Sequence, residues 1–293
     1  MLAKSCSINV DTLIYDLEDS VTPAAKSEAR RLVADHIADR SLSHSSRTAK
    51  EVAVRINAID TSLALDGRLD SSHTVVVPKV ESERDLQFVA DIIRFVAPDR
   101  APSPATCSTG ERKRPLGILA LIESARALSN LSAICRAAKD LGLLSGIAFA
   151  AEDFANDLSL AALPDRRELL FARSLLVTTA RAHAIPSVID MVGTETPTTP
   201  EQKAKLEASC YEGRALGFTG KQCIHPLQTG IVQASFAPSA EQIQWATNVI
   251  LGDQKAQQEG KGAWSLDGKM IDAPVAKRAA ALLERARQCG LLS

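Results

Sequence analysis

No apolar run in this chain is as long as a bilayer-spanning helix, and its N-terminus is neither a secretory signal nor an Arg-rich transit peptide. Neither sign of charge prevails: 34 Lys and Arg stand against 35 Asp and Glu, for a net charge of −1. With aromatics at only 4%, nothing suggests the basic face that a nucleic acid requires. The six cysteines (6, 107, 135, 210, 223 and 289) never form Cys-x-x-Cys, which excludes zinc-ribbon and dithiol redox motifs and suggests reduced thiols. A Gly-x-Gly-x-x-Gly turn of the dinucleotide-binding kind is also missing. Membrane insertion and nucleic-acid binding are therefore not expected. The 293 residues, nearly half of them apolar, suffice for one large α/β domain or two smaller ones.

What the chain does have is a rhythm of short apolar strand, polar or Gly/Pro turn, and amphipathic helix. Strands are expected at 12–17, 51–56, 74–77, 116–122, 144–150, 187–191 and 217–224, and helices at 24–37, 83–95, 125–141, 164–183 and 200–216. Thr22 and Pro23 supply an N-cap and a first helical residue for helix 24–37. Continuous apolar strands alternating with helices describe a parallel sheet covered by helices. The polar residues choose between a barrel and an open sheet. Asp16 with Glu18 and Asp19, then Arg55, Lys79, Glu123, and Glu152 with Asp153 each close a different strand, on the side leading into the next helix. A (β/α)8 barrel of the TIM type gathers all those ends at one mouth. Seven strands are one short of closure, so the barrel is expected to lack its first strand.

Residues 97–114, rich in Pro, Ser and charge, read as a surface loop. The βα rhythm stops near residue 232, dividing a barrel domain (1–232) from a C-terminal extension (233–293). The extension holds a helix (239–251), a hairpin turning at Asp267-Gly268 and a last helix (275–288), with no core large enough to stand alone.

Several strand-end residues could carry chemistry. Glu123 and Asp153 end neighbouring strands with no His or Cys nearby, which suits Mg²⁺ or Mn²⁺ better than zinc. The alternative is that each pairs with a Lys or Arg at the barrel rim. Arg55 has the planar fork that holds a carboxylate, or else it pairs with Glu18 or Asp19. Lys79 could form a Schiff base if burial lowered its pKa, though an ion pair with Glu81 or a mouth carboxylate is the simpler role. His225 and Cys223 are expected to be structural. Asp272 is either an N-cap or part of a tail that reaches over the mouth of its own or a neighbouring subunit.

Seven segments in order, DTLIYDLEDSVTPAAKSEAR, VRINAID, VVVPKVES, LALIES, AFAAEDF, GFTGKQCIHP and MIDAP, resemble citrate lyase β-subunit-like proteins of the HpcH/HpaI aldolase superfamily, which includes malyl-CoA and citramalyl-CoA lyases. The resemblance runs over essentially the whole chain except 97–114. It implies a (β/α)8 barrel, a homotrimer, and Mg²⁺-dependent making or breaking of a carbon–carbon bond beside a CoA thioester, with a 2-oxo acid as the second small molecule. It places metal ligands at Glu123 and Asp153 and the carboxylate-binding arginine at Arg55. It places the acid/base, supplied from an adjacent subunit, at Asp272, and a CoA-phosphate contact at Lys4. Such proteins also carry a preceding strand ending in a Tyr-Val-Pro-Gly-like turn, which this chain is expected to lack through a late start or a truncation. A truncated, non-catalytic subunit of a lyase assembly is thus the alternative to activity. The compartment it implies is mitochondrial or cytoplasmic.

Overall fold

A computed structural model describes residues 2–39, 49–59, 73–101, 115–142 and 144–292. Most of the expected loop 97–114, with Cys107, lies outside the described residues. The chain divides into two compact units, Met1–Thr229 and Gly230–Ser293. No helix among the described residues is long and apolar enough to cross a membrane.

The first unit contains seven strands: β1 (Thr12–Asp16), β2 (Glu51–Arg55), β3 (Thr74–Val77), β4 (Gly117–Ile122), β5 (Leu144–Phe149), β6 (Ser187–Asp190) and β7 (Gly220–Lys221). All pair in parallel and in sequence order, with no ladder between β1 and β7 among the described residues. This is a TIM-type barrel with seven staves described. Val75, Val76 and Val77 are at most 1% exposed, the two-sided burial that makes parallel strands read as unbroken apolar runs.

Helix α1 (Leu2–Ser5) precedes β1; α2 (Lys26–Ala38), α3 (Glu83–Val96), α4 (Ala125–Ser129), α5 (Leu131–Leu141), α6 (Ala151–Asp157), α7 (Leu170–Ala182) and α8 (Pro200–Leu216) lie between strands, and α9 (Pro226–Phe236) follows β7. Tyr15, Val52 and Val54 pack on Val33 and Ile37 of α2, so that face of the sheet is the helix side. Side chains alternate along a strand, which turns Asp16 and Arg55 to the opposite face with Ala53. There Ala53, Val76, Leu121 and Ala148 form the interior cluster.

Several element ends differ from expectation for local reasons. Helix 24–37 starts as a 3₁₀ turn at Pro23–Ala25, and Thr22 makes no side-chain cap. Helix 125–141 breaks at Asn130, whose amide donates to the Glu81 carbonyl at 2.9 Å. Helix 164–183 starts only at Arg167, after Arg166 takes a left-handed conformation (φ 54°). Strand 217–224 shrinks to two residues because Gly217, at φ 102°, ends α8 and Thr219 spends its hydroxyl on the Val188 backbone. The short α1 and α6, together with α9, carry no strong periodicity and were not expected.

Between α7, α8 and β6 lies an ion cluster in which the side chains of Arg173, Asp190 and Lys221 are fully buried and Glu212 is exposed. Arg173 donates to both oxygens of Asp190 (3.1 and 2.8 Å), and its third nitrogen is 2.9 Å from Glu212. Lys221 Nζ is 3.4 Å from the same aspartate.

The second unit contains α10 (Ala240–Gln258), a hairpin of β8 (Trp264–Leu266) and β9 (Lys269–Ile271), and α11 (Ala273–Gln288). Asp267 and Gly268 both have positive φ (49° and 76°), the turn that an Asp-Gly pair favours. The unit has a small apolar cluster, in which Ala246, Val249, Ile271, Ala276 and Ala279 are buried against Trp245 and Trp264. Gly252 lies directly under the Trp264 ring, where any Cβ would overlap it.

Candidate active site

Register decides the partner of Arg55. Asp16 and Arg55 are opposite one another on β1 and β2, and the arginine donates Nε to Oδ1 and Nη2 to Oδ2 of Asp16, both at 2.6 Å. Nη1 is 3.1 Å from Glu18 Oε2 and 3.3 Å from Asp19 Oδ2. Asp16 also accepts from the Glu18 and Ser20 backbone N–H groups (2.9 and 3.1 Å) and from the Ser20 hydroxyl. Burial alone would raise its pKa, but the hydrogen bonds from Arg55, Ser20 and Glu18 outweigh that and hold it at about 2. Lys26 donates to the Leu17 and Glu18 carbonyls (2.8 and 2.6 Å), pinning the turn that carries the acids. The sequence reading missed both Asp16 as the principal partner and Lys26. Counting strand positions from the first apolar residue would have found the former.

Beyond β3 the chain turns at Lys79, which has φ 52°, a left-handed conformation uncommon outside glycine. That turn aims its backbone N–H at Glu123 Oε1, and its ammonium lies 3.3 Å from Glu18 Oε1. Glu123 follows β4 directly and is 6% exposed. Burial pushes its pKa up to about 7; the Lys79 N–H opposes that shift, while the charges of Asp153 and Glu18 add to it. Ala150 N–H donates to the Ile122 carbonyl at 3.1 Å, so the first turn of α6, which carries Asp153, adjoins Glu123. Asp153 is exposed and has no ion pair among the described residues, whereas Glu152 is taken by Arg166 at 2.7 Å.

This donor set suits a divalent ion. A carboxylate whose pKa is raised by burial and by other carboxylates carries negative charge that its surroundings do not offset, and a cation there would relieve it. Both candidate donors are hard oxygens. Among the described residues no group of three or more His, Cys, Asp or Glu converges for metal binding. The protein would thus supply two ligands and leave the other positions to water and substrate, as Mg²⁺ commonly requires.

The remaining candidates fall elsewhere. Lys4 is exposed on α1 and its contacts go to Ser7. Asp272 belongs to the second unit, where Oδ1 accepts from Val275 N–H at 3.2 Å and caps α11. His225 Nδ1 accepts from the Leu227 N–H, and burial pushes the Cys223 thiol up to about 11. Lys79 makes the ion pair with a mouth carboxylate, Glu18, the simpler of its two expected roles. Burial would lower its pKa, but Glu18, Glu123 and Asp19 raise it overall, the opposite of the shift that a Schiff-base lysine requires. A cavity of about 210 Å³ lies at the other ends of the strands, lined by Glu51, His73, Thr74, Gly117 and Ser145. In a barrel that end stabilises rather than catalyses, and Glu51 there is occupied by the hydroxyls of Thr12 and Thr74.

The family model for HpcH/HpaI aldolase/citrate lyase matches residues 1–226. The mitochondrial citramalyl-CoA lyase of Homo sapiens is 32% identical over 289 residues, covering 95% of this chain and 79% of the relative. The citrate lyase subunit beta of Haemophilus influenzae is 34% identical over 291 residues, covering 98% and 92%. Among solved structures, the protein CitE from Mycobacterium tuberculosis in complex with magnesium, acetoacetate and coenzyme A superimposes with a TM-score of 0.70 at 26% identity, covering 97% of this chain and 92% of that one.

Proposed function

The chain belongs to the HpcH/HpaI aldolase/citrate lyase family, and from that premise we propose that it is a magnesium-dependent carbon–carbon lyase. Its substrates are CoA thioesters of hydroxy acids, of the citryl-, malyl- or citramalyl-CoA type, cleaved to an acyl-CoA and a 2-oxo acid. The names of the relatives support the substrate class, and the magnesium and coenzyme A of the CitE complex support the cofactor. Within the chain, the supporting observation is Glu123, a buried carboxylate held by a backbone N–H beside the charge of Asp153.

Glu123 and Asp153 are the residues that would hold the magnesium. When bound, the ion supplies Lewis-acid polarisation of the oxo group of the substrate. Arg55, locked in orientation by Asp16, fixes the carboxylate end of the 2-oxo acid. In the synthetic direction Asp272 removes a proton from the acyl-CoA methyl group, and the resulting carbanion adds to the oxo carbon. In cleavage Asp272 takes the hydroxyl proton, directly or through a water, the carbon–carbon bond breaks, and Asp272 returns the proton to the methylene carbon. Asp272 comes from a neighbouring copy in a homotrimer, and Lys4 meets the CoA phosphates. A mitochondrial or cytoplasmic setting accords with the mitochondrial human relative.

The test is to incubate the purified protein with citramalyl-CoA and malyl-CoA and measure the acyl-CoA and 2-oxo acid released. Cleavage that needs Mg²⁺, stops with EDTA and is lost in Glu123→Gln is expected. Magnesium-independent cleavage, or none of either ester, would overturn the reading.

A further inference from the structure

Counting hydrogen-bond donors at the strand ends identifies a second cation suited to the substrate. A guanidinium has five N–H groups. Asp16 takes two from Arg55, and Glu18 and Asp19 lie within 3.3 Å of its Nη1. One Nη2 hydrogen is left, enough for a single hydrogen bond to the carboxylate but not for the two-pronged grip of the whole fork. Lys79 has three ammonium donors and a single ion-pair partner among the described residues, Glu18 at 3.3 Å. Its side chain is 56% exposed against 21% for Arg55, so its two remaining donors are accessible from solution. The residue is also built into the site through its backbone. Its left-handed turn aims the N–H at Glu123, and sparsely populated backbone conformations of this sort concentrate where function requires them.

We propose that Lys79 is a second anchor for the substrate, its ammonium receiving the carboxylate of the 2-oxo acid together with the last free hydrogen of Arg55. This rests on the lyase reading of the same site. Arg55 is the rigid, acid-clamped half of the anion site and Lys79 is the mobile half.

Titration calorimetry of pyruvate, in saturating Mg²⁺, into wild type, Lys79→Met and Lys79→Arg tests this directly. Mg²⁺ binding without pyruvate and thermal midpoints are measured alongside. The Met variant keeps the backbone N–H while removing the charge, and should bind pyruvate about 10- to 100-fold more weakly, the cost of a charge-assisted hydrogen bond. Its Mg²⁺ affinity should be unchanged or tighter, because a cation has left the neighbourhood, and the Arg variant should recover most of the pyruvate binding. If the Met variant fails to fold, Lys79→Gln carries the same comparison. Pyruvate affinity within about twofold of wild type, or a loss of Mg²⁺ binding in parallel, overturns the assignment while leaving the lyase reading intact. Wild-type protein that binds neither Mg²⁺ nor pyruvate removes both together.

Discussion

Asp272 caps α11 through Val275 and is also the proposed acid/base, so the substitution chosen decides which role is measured. Asn caps a helix about as well as Asp, whereas Ala costs about 1 kcal/mol. Asp272→Asn should therefore keep its thermal midpoint while turnover falls by about 10²- to 10⁴-fold; near-normal turnover would contradict the role. Asp16 lends itself to a pH measurement instead. Its pKa falls from 3.8 to about 2 on folding, so its contribution to stability is complete above the unfolded value and disappears as pH drops from about 4 to about 2. Urea midpoints over that range should fall more steeply for wild type than for Asp16→Asn. Equal slopes would mean that the bond to Arg55 contributes nothing to stability.

At the scale of elements, the barrel wall depends on the ion cluster between α7, α8 and β6. Gly213 of α8 is so close to Asp190 that any Cβ would overlap its Oδ2. Gly213→Ala should displace the aspartate from Arg173 and Lys221, leaving Arg173 only Glu212 and Lys221 buried without its carboxylate, a loss of about 3–5 kcal/mol by urea denaturation. A loss under 1 kcal/mol would show that the cluster adapts. The same scale explains what could be read from the sequence. The first six strands were legible as apolar runs, most plainly β3, which is buried on both faces, while β7, with Val188 N–H taken by the Thr219 hydroxyl, was expected over eight residues and has two. Helix ends were obscured where one polar side chain competes with the backbone, as Asn130 does. The strand-end residues were legible, since functional groups there interrupt an apolar run. Their pairings were not, because the choice of Asp16 over Glu18 for Arg55 depends on register, and the left-handed turn at Lys79 has no glycine to announce it.

For the whole molecule, the two compact units carry different parts of the proposed chemistry: Glu123 and Asp153 in the first, Asp272 in the second. If Asp272 acts in a neighbouring copy, two inactive variants should complement each other. Mixing Glu123→Gln with Asp272→Asn subunits, followed by dissociation and reassembly, should restore part of the wild-type activity, because hybrid assemblies contain sites with both residues intact. No recovery in verified hybrids would mean that Asp272 serves its own subunit or none.

Magnesium binding by the substrate-free protein tests the central claim most directly. Calorimetric titration of wild type, Glu123→Gln and Asp153→Asn should give one site per chain in wild type, weakened at least about 100-fold in either variant, more than the 10- to 100-fold typical of losing an outer-shell partner. Undiminished Mg²⁺ affinity in both variants would contradict the account, because the ion would then sit somewhere other than between these two carboxylates.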